Sequence, residues 1–363
     1  MKEENIVTSV ASFLEVVHEI INQYKDEIIV YRGEDQIYDL PCRPNIFRKK
    51  SMTNFEFFEK NLFDSMRQNN LSGKSNYLEN AIDAQHGEFP SRLLDVSYNC
   101  LVALYFAVTP YYHFDETEHD DKDGRVFIFH FDKVYSPGSE YFQECYESII
   151  TRKYPILSNN MIFGKNHKLV DHCKLNNRIV AQQGAFVLFQ GDDAEALPAY
   201  VFQGFRIPKK SKKQIRKDLK ILFGIHTGYI YPEIVNLVNE LSEKSKMVCS
   251  SLYTFKQELK DIGQQLEQEI EYYYKKLQIS SDDNVVEISR MTEKVLYSYY
   301  LGIMQLGNFV KNNDSNDANK NQIEFEKFVA KYNNLIYEFQ NNIDELEIDE
   351  IEPNKFEIRI DKG

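Results

Sequence analysis

The chain of 363 residues has no tryptophan, only five cysteines, and fewer bases than acids, 43 against 56. The cysteines, Cys42, Cys100, Cys145, Cys173 and Cys249, are odd in number and widely spaced, without a Cys-x-x-Cys pair. That excludes a reading as a disulfide framework or a zinc ribbon. The net charge of −13 speaks against a general nucleic-acid binder, because phosphate contact needs a basic face. No apolar run approaches the roughly 18 residues of a membrane span, and the polar start Met1–Asn5 leads into an amphipathic pattern, not a signal-type apolar region. These shortages describe a reduced, cytoplasmic protein with neither membrane span nor metal. One cluster runs against the average: Arg206, Lys209, Lys210, Lys212, Lys213, Arg216, Lys217 and Lys220, which is a polyanion patch or the solvated start of a helix.

What the chain has is a mixed pattern followed by a regular one. Phe13, Val16, Val17, Ile20 and Ile21 recur at helical spacing and predict a helix over 12–24. A strand is expected at 28–31, a loop at 39–50, helices at 55–66 and 77–83, a turn at 84–97, and a short helix at 101–107. Strands are expected at 125–131, 181–189 and 200–207, then a basic helix at 211–222 capped by Ser211, a connection at 225–232 and a closing helix at 233–241. The fold class is α+β. After residue 246 proline is absent until Pro353, and apolar residues step by three and four through 252–277, 285–310 and 323–343. This predicts a helical hairpin or three-helix unit. The expected domains are 1–245, 246–343 and an acidic tail, 344–363, in which Phe356 to Ile360 alternates like an edge strand.

Candidate site residues concentrate in 84–97, where Gln85, His86, Glu88, Arg92, Asp95 and Ser97 crowd together just before the apolar segment 101–108. Upstream, Arg32 follows the apolar run 28–30, with Gly33 allowing close approach of a ligand or of backbone. Arg32 suits an anion through its guanidinium fork, or a buried pair with Asp95. Arg92 and Asp95 are ligand contacts or a pair holding the turn. His86 is a general base or a satisfied core histidine. Gln85 and Gln183 read a ligand edge or satisfy backbone, and Ser97 caps the following helix or fixes a sugar. Arg48 and Arg178 are further anion contacts. His167 and His172 lie at no metal-binding spacing.

Five ordered blocks carry a resemblance. Tyr31-Arg32-Gly33, Pro44-Asn45-Ile46-Phe47-Arg48, Ala84 to Ala107, Arg178 with Gln182-Gln183-Gly184-Ala185-Phe186, and Tyr229 to Ile234 together resemble the FRG domain family, named for its Phe-Arg-Gly-type motif. The likeness covers about the first 240 residues and departs from the family pattern at Gly87-Glu88, Val96 and Ser97. It implies a role in phage defence or as an intracellular toxin and implies no particular reaction. A weaker similarity, to ADP-ribosyltransferases of the arginine–serine–glutamate class, rests on Arg32 and on Asp95-Val96-Ser97 before Val102 to Ala107. It implies a split sheet and NAD as substrate, with Arg32 on the diphosphate and a carboxylate steadying an oxocarbenium-like centre. The later glutamate of that class is missing, since Gln182 and Gln183 stand where it is expected. The acid then comes from Asp95 or Glu88, or the fold binds a nucleotide without cleaving it, or the likeness is chance.

The expected function is thus a cytoplasmic effector binding a nucleotide-like anion around Arg32 and Asp95, with Asp95, His86 and Gln183 as catalytic candidates. Arg32, Arg92, Gln85, Ser97 and Arg48 are the ligand-binding candidates. The alternative is a ligand-sensing module without catalysis, whose helical part, 246–343, contacts a protein partner or a second copy.

Overall fold

The computed structural model describes residues 6–48, 57–71, 76–85, 89–110, 116–171, 177–191, 197–198, 200–248, 253–280, 282–312, 317–348 and 350–359. His86, Gly87 and Glu88 lie outside the described residues. The chain divides into two compact units, Met1–Met247 and Val248–Gly363.

The first unit is α+β. It opens with α1 (Val10–Gln23), started by a reciprocal cap between Ser9 and Ser12. A seven-stranded sheet follows, in the order β4-β5-β6-β2-β1-β3-β7. Its strands are β1 (Ile28–Glu34), β2 (Leu93–Ser97), β3 (Gly124–Phe131), β4 (Val134–Tyr135), β5 (Lys168–Val170), β6 (Gly184–Leu188) and β7 (Phe202–Ile207). All neighbours are antiparallel except β4 and β5.

The ladder is uneven. β1 pairs β3 along its whole length, from Ile28↔Phe131 to Glu34↔Arg125, and β2 pairs β6 from Leu93↔Leu188 to Ser97↔Gly184. Between β1 and β2 the register holds at one pair, Tyr31↔Ser97. The sheet therefore consists of two well-paired halves joined at a narrow seam.

Alternation along the strands divides the core. Val30, Leu94, Val96, Phe127, Phe129 and Val187 share one inner core across both halves. On the outer face, Tyr31, Val126, Ile128, Phe205 and Ile207 pack against α1 and α4 (Cys100–Val108). Leu93, Phe186 and Leu188 pack against α2 (Phe58–Gln68), α3 (Tyr77–Gln85) and α5 (Glu140–Ile150). Gly33 and Gly124 let α4 lie directly on the sheet, because a methyl on either would meet helix backbone at Ala103 or Ala107.

Several expectations are corrected. The stretch 93–97 is a central strand, not part of a turn, because β6 supplies its partners from 87 to 95 residues downstream, Gly184 for Ser97 and Leu188 for Leu93. The basic helix runs Lys209–Phe223 with Pro208 at the cap position and Ser211 buried within it. That helix is solvated along most of its basic residues, and two of them are taken into the fold. Lys212 is fully buried, its ammonium donating to the carbonyls of Asp35 and His119, and Arg216 pairs with Asp120 at 2.5 Å. Lys209, Lys210, Lys213, Lys217 and Lys220 remain exposed.

Among the described residues the second unit holds three helices, α6 (Phe255–Ile279), α7 (Asp282–Lys311) and α8 (Ala318–Glu345). Leu259, Leu266, Leu296, Ile303, Phe328, Tyr332, Ile336 and Ile343 form their common core. The stretch expected as a tail or edge strand instead docks on this bundle. Pro353–Phe356 is a 3-10 turn, Tyr332 donates to the Phe356 carbonyl at 3.0 Å, and the Asn333 amide bonds the backbone of Ile358 in both directions. No helix of the described residues is long and apolar enough to cross a membrane.

Candidate functional site

The seam of the sheet opens into a cleft of about 390 Å³, within the range of small-ligand pockets. Its charged wall comes from β1. Arg32 sits inside the strand, which runs three residues beyond the expected end, and Glu34 follows two positions later on the same face. Where β1 and β2 part, Arg32 bridges the gap by donating from Nη1 to the Asp95 carbonyl at 2.7 Å. Its Nε donates to Glu34 Oε1 at 3.3 Å. Arg48, just after the short 3-10 turn Asn45–Phe47, reaches the same oxygen from Nη2 at 3.3 Å and lies over the Tyr38 ring. The pair expected between Arg32 and Asp95 is thus a bond to backbone, and the acid that holds Arg32 is Glu34. Sequence reasoning missed Glu34, whose only signal was its position two residues after Arg32.

Asp95 presents its carboxyl to the cleft and to solvent, with no side-chain partner among the described residues. Protein nonetheless surrounds it closely. The resulting desolvation raises its pKa from the ordinary carboxylate value, while Arg32, its own amide and Arg178 pull the other way. Charged Asp95 therefore costs stability. Below the ordinary carboxylate pKa of about 4 both folded and unfolded states are protonated and the cost vanishes; as pH rises, the unfolded chain ionises first. Asp95→Asn is expected to melt at a higher temperature than the wild type at pH 7, with the gain fading as pH falls below about 4. A thermal-melting series across pH 3–8 reads this directly.

The remaining candidates divide. Gln85 lines the cleft, but its amide nitrogen is engaged with Ser91 Oγ at 3.0 Å and the Leu93 carbonyl at 2.7 Å, fixing the entry to β2. Ser97 also lines the cleft, buried, donating to the Gln182 carbonyl at 2.7 Å and accepting from the Asn99 amide. It does not cap α4; the Asn99 side chain does, accepting from Leu101 and Val102. Arg178 lines the cleft, paired with Glu233 and stacked over Tyr231.

Two candidates fall away. Gln183 is exposed at a left-handed turn, φ 45°, between the helix Asn177–Gln182 and β6, and its neighbour Gln182 faces the cleft instead. Arg92 is buried away from the cleft. Its Nε meets Glu59 Oε2 at 2.6 Å, and its Nη1 reaches the carbonyls of Phe189, Gln190 and Gly191. Glu59 also accepts from the Arg92 amide and from the Tyr146 hydroxyl. Among the described residues no group of three His, Cys, Asp or Glu side chains comes together as a metal site.

A curled sheet with an arginine- and carboxylate-lined cleft at its seam characterises the first unit. Residues 27–116 match the family model of the FRG domain, and the chain carries an FRG domain. The matched stretch supplies Arg32, Glu34, Arg48, Gln85 and Asp95, whereas Arg178, Gln182 and Tyr231 come from beyond it. No curated protein and no solved structure matches the chain at a significant level.

Proposed function

We propose that this FRG domain binds a nucleotide-like anion in the seam cleft and that Asp95 acts on it. The supporting observation is the juxtaposition of two arginines, held together by one buried carboxylate, with an accessible carboxyl of raised pKa, that of Asp95, which has no side-chain partner among the described residues. Such perturbed groups in a cleft are characteristic of working sites. Arg32 and Arg48 offer N–H groups to phosphate, the rings of Tyr38 and Tyr231 offer apolar walls, and Asp95 stands at the sugar.

With NAD as substrate, the bond from ribose C1′ to the nicotinamide nitrogen breaks and its electron pair neutralises the pyridinium. The Asp95 carboxylate steadies the cationic ribosyl centre. Water or a hydroxyl acceptor then adds to C1′ and releases a proton. In a cell this makes the chain an NAD-consuming or ADP-ribosylating effector, of use in antiviral defence or as a toxin. A second reading, a sensor without turnover, is favoured by one feature: the cleft's three arginines are balanced by Glu34, Asp35 and Asp95, which suits holding a ligand as well as cleaving it.

Nicotinamide release and label transfer from NAD, measured on the full chain in the presence of cell lysate, test the proposal. Wild type is expected to release nicotinamide, with Arg32→Ala and Asp95→Asn slower by about 100-fold or more while folded by circular dichroism. Calorimetric binding without release assigns the sensor. Neither release nor binding overturns both readings.

A further inference from the structure

We infer that Glu34 contacts the ligand, its second oxygen Oε2 accepting a hydrogen bond from a sugar hydroxyl, so that the cleft recognises a ribose phosphate unit as a whole; this rests on the nucleotide-like reading of the same cleft.

The argument starts from an asymmetry. Glu34 is 97% buried, being 3% exposed, and it lines the cleft. All its protein donors converge on one oxygen: the Cys42 amide at 3.0 Å, Arg32 Nε at 3.3 Å and Arg48 Nη2 at 3.3 Å, all on Oε1. Oε2 is out of reach of solvent and has no partner among the described residues. A buried carboxylate oxygen without a donor is expensive, and native structures rarely leave one so without a reason.

An arginine paired with a carboxylate commonly sends two parallel bonds to both oxygens. Neither arginine does so here. Arg32 turns its Nη1 to the Asp95 carbonyl, and Arg48 turns its Nε to the Arg43 carbonyl at 3.1 Å. Among the described residues, no acceptor meets one terminal nitrogen of each arginine, Nη2 of Arg32 and Nη1 of Arg48. Cys42 holds a left-handed backbone, φ 52°, at the residue that delivers its amide to Oε1. Backbone held in that region costs free energy and recurs at ligand sites.

The open groups are therefore two cationic donors beside one anionic acceptor. A bare anion would satisfy the arginines and repel Oε2. A neutral donor would satisfy Oε2 and leave the guanidinium nitrogens bare. A hydroxyl carried a few bonds from a phosphate answers both, and the sugar phosphate of a nucleotide is that arrangement.

Titration calorimetry with AMP, 2′-deoxy-AMP and 2′,3′-dideoxy-AMP, at one salt concentration, keeps phosphate and base constant while hydroxyls are removed. Wild type is expected to lose about 10-fold or more in affinity when the hydroxyl facing Glu34 is absent, as for a bond to a charged group. Glu34→Gln, folded by circular dichroism, is expected to bind the three alike. Glu34→Asp, which keeps the negative charge beside the arginines but draws the carboxylate back by one methylene, replaces it should the glutamine variant fail to fold. Equal binding of all three by wild type, or discrimination retained in the variant, overturns the inference and leaves the nucleotide reading standing. No binding of any of them by wild type removes that reading and this inference with it.

Discussion

Gly33→Ala is expected to cost about 3 kcal/mol or more, at the upper end of overpacking effects, and to unfold a large fraction of the first unit at physiological temperature. The added methyl would fall inside the Ala103 carbonyl oxygen and lie 2.6 Å from the Ala107 amide nitrogen and 2.9 Å from the Phe106 carbonyl carbon. All three are backbone atoms of α4, so no rotamer change makes room. The helix would have to lift off the sheet, taking Val102, Leu104 and Tyr105 out of the outer core. Urea denaturation followed by circular dichroism measures the loss. A variant as stable as wild type would mean that α4 does not rest on β1. The result also separates two roles for the Tyr-Arg-Gly motif. Its glycine serves helix packing, and its arginine serves the cleft.

Glu59→Ala is expected to cost about 3–5 kcal/mol, the usual consequence of removing one partner from a buried ion pair. Glu59 is 3% exposed and Arg92 is 6% exposed, so the guanidinium left behind would lie in a closed interior beside the carbonyl oxygens of Phe189, Gln190 and Gly191, without the Glu59 carboxylate. The Tyr146 hydroxyl and the Arg92 amide would lose their acceptor in the same step. Glu59→Gln, which retains an acceptor, is expected to cost less. Thermal melting of both variants checks the order, with the alanine variant lowest. In the glutamine variant, where the fold survives, the affinity for AMP should match wild type. A selective loss of ligand binding without loss of stability would instead put Arg92 in the site.

Much of the cleft was legible from residue type and local order. Arg32, Arg48, Gln85, Asp95, Ser97 and Arg178 all reach it, because the motifs that carry them sit at strand ends and turns close to the seam. The misplacements have local causes. Gln183 was one residue off, because the positive φ that turns the chain into β6 faces Gln182 to the cleft and exposes its neighbour. Arg92 looked like a site residue among other charges, and its partner Glu59 stands 33 residues upstream on another element. Glu34 was illegible because its importance lies in what converges on it, the Cys42 amide and two arginines, and convergence is a property of the folded chain. The same holds for β2. Five residues rich in ionisable neighbours read as a turn until β6 covers one edge and β1 touches the other.

The single pair at Tyr31↔Ser97 has a mechanical consequence. The sheet is continuous in order but not in stiffness: each half is braced by a full ladder, whereas the angle between them is governed at the seam chiefly by side chains. Arg32 on the Asp95 carbonyl is such a brace. A molecule lodged in the cleft thus becomes a second strut, and the aperture that receives it is set by the same arginine that would grip it.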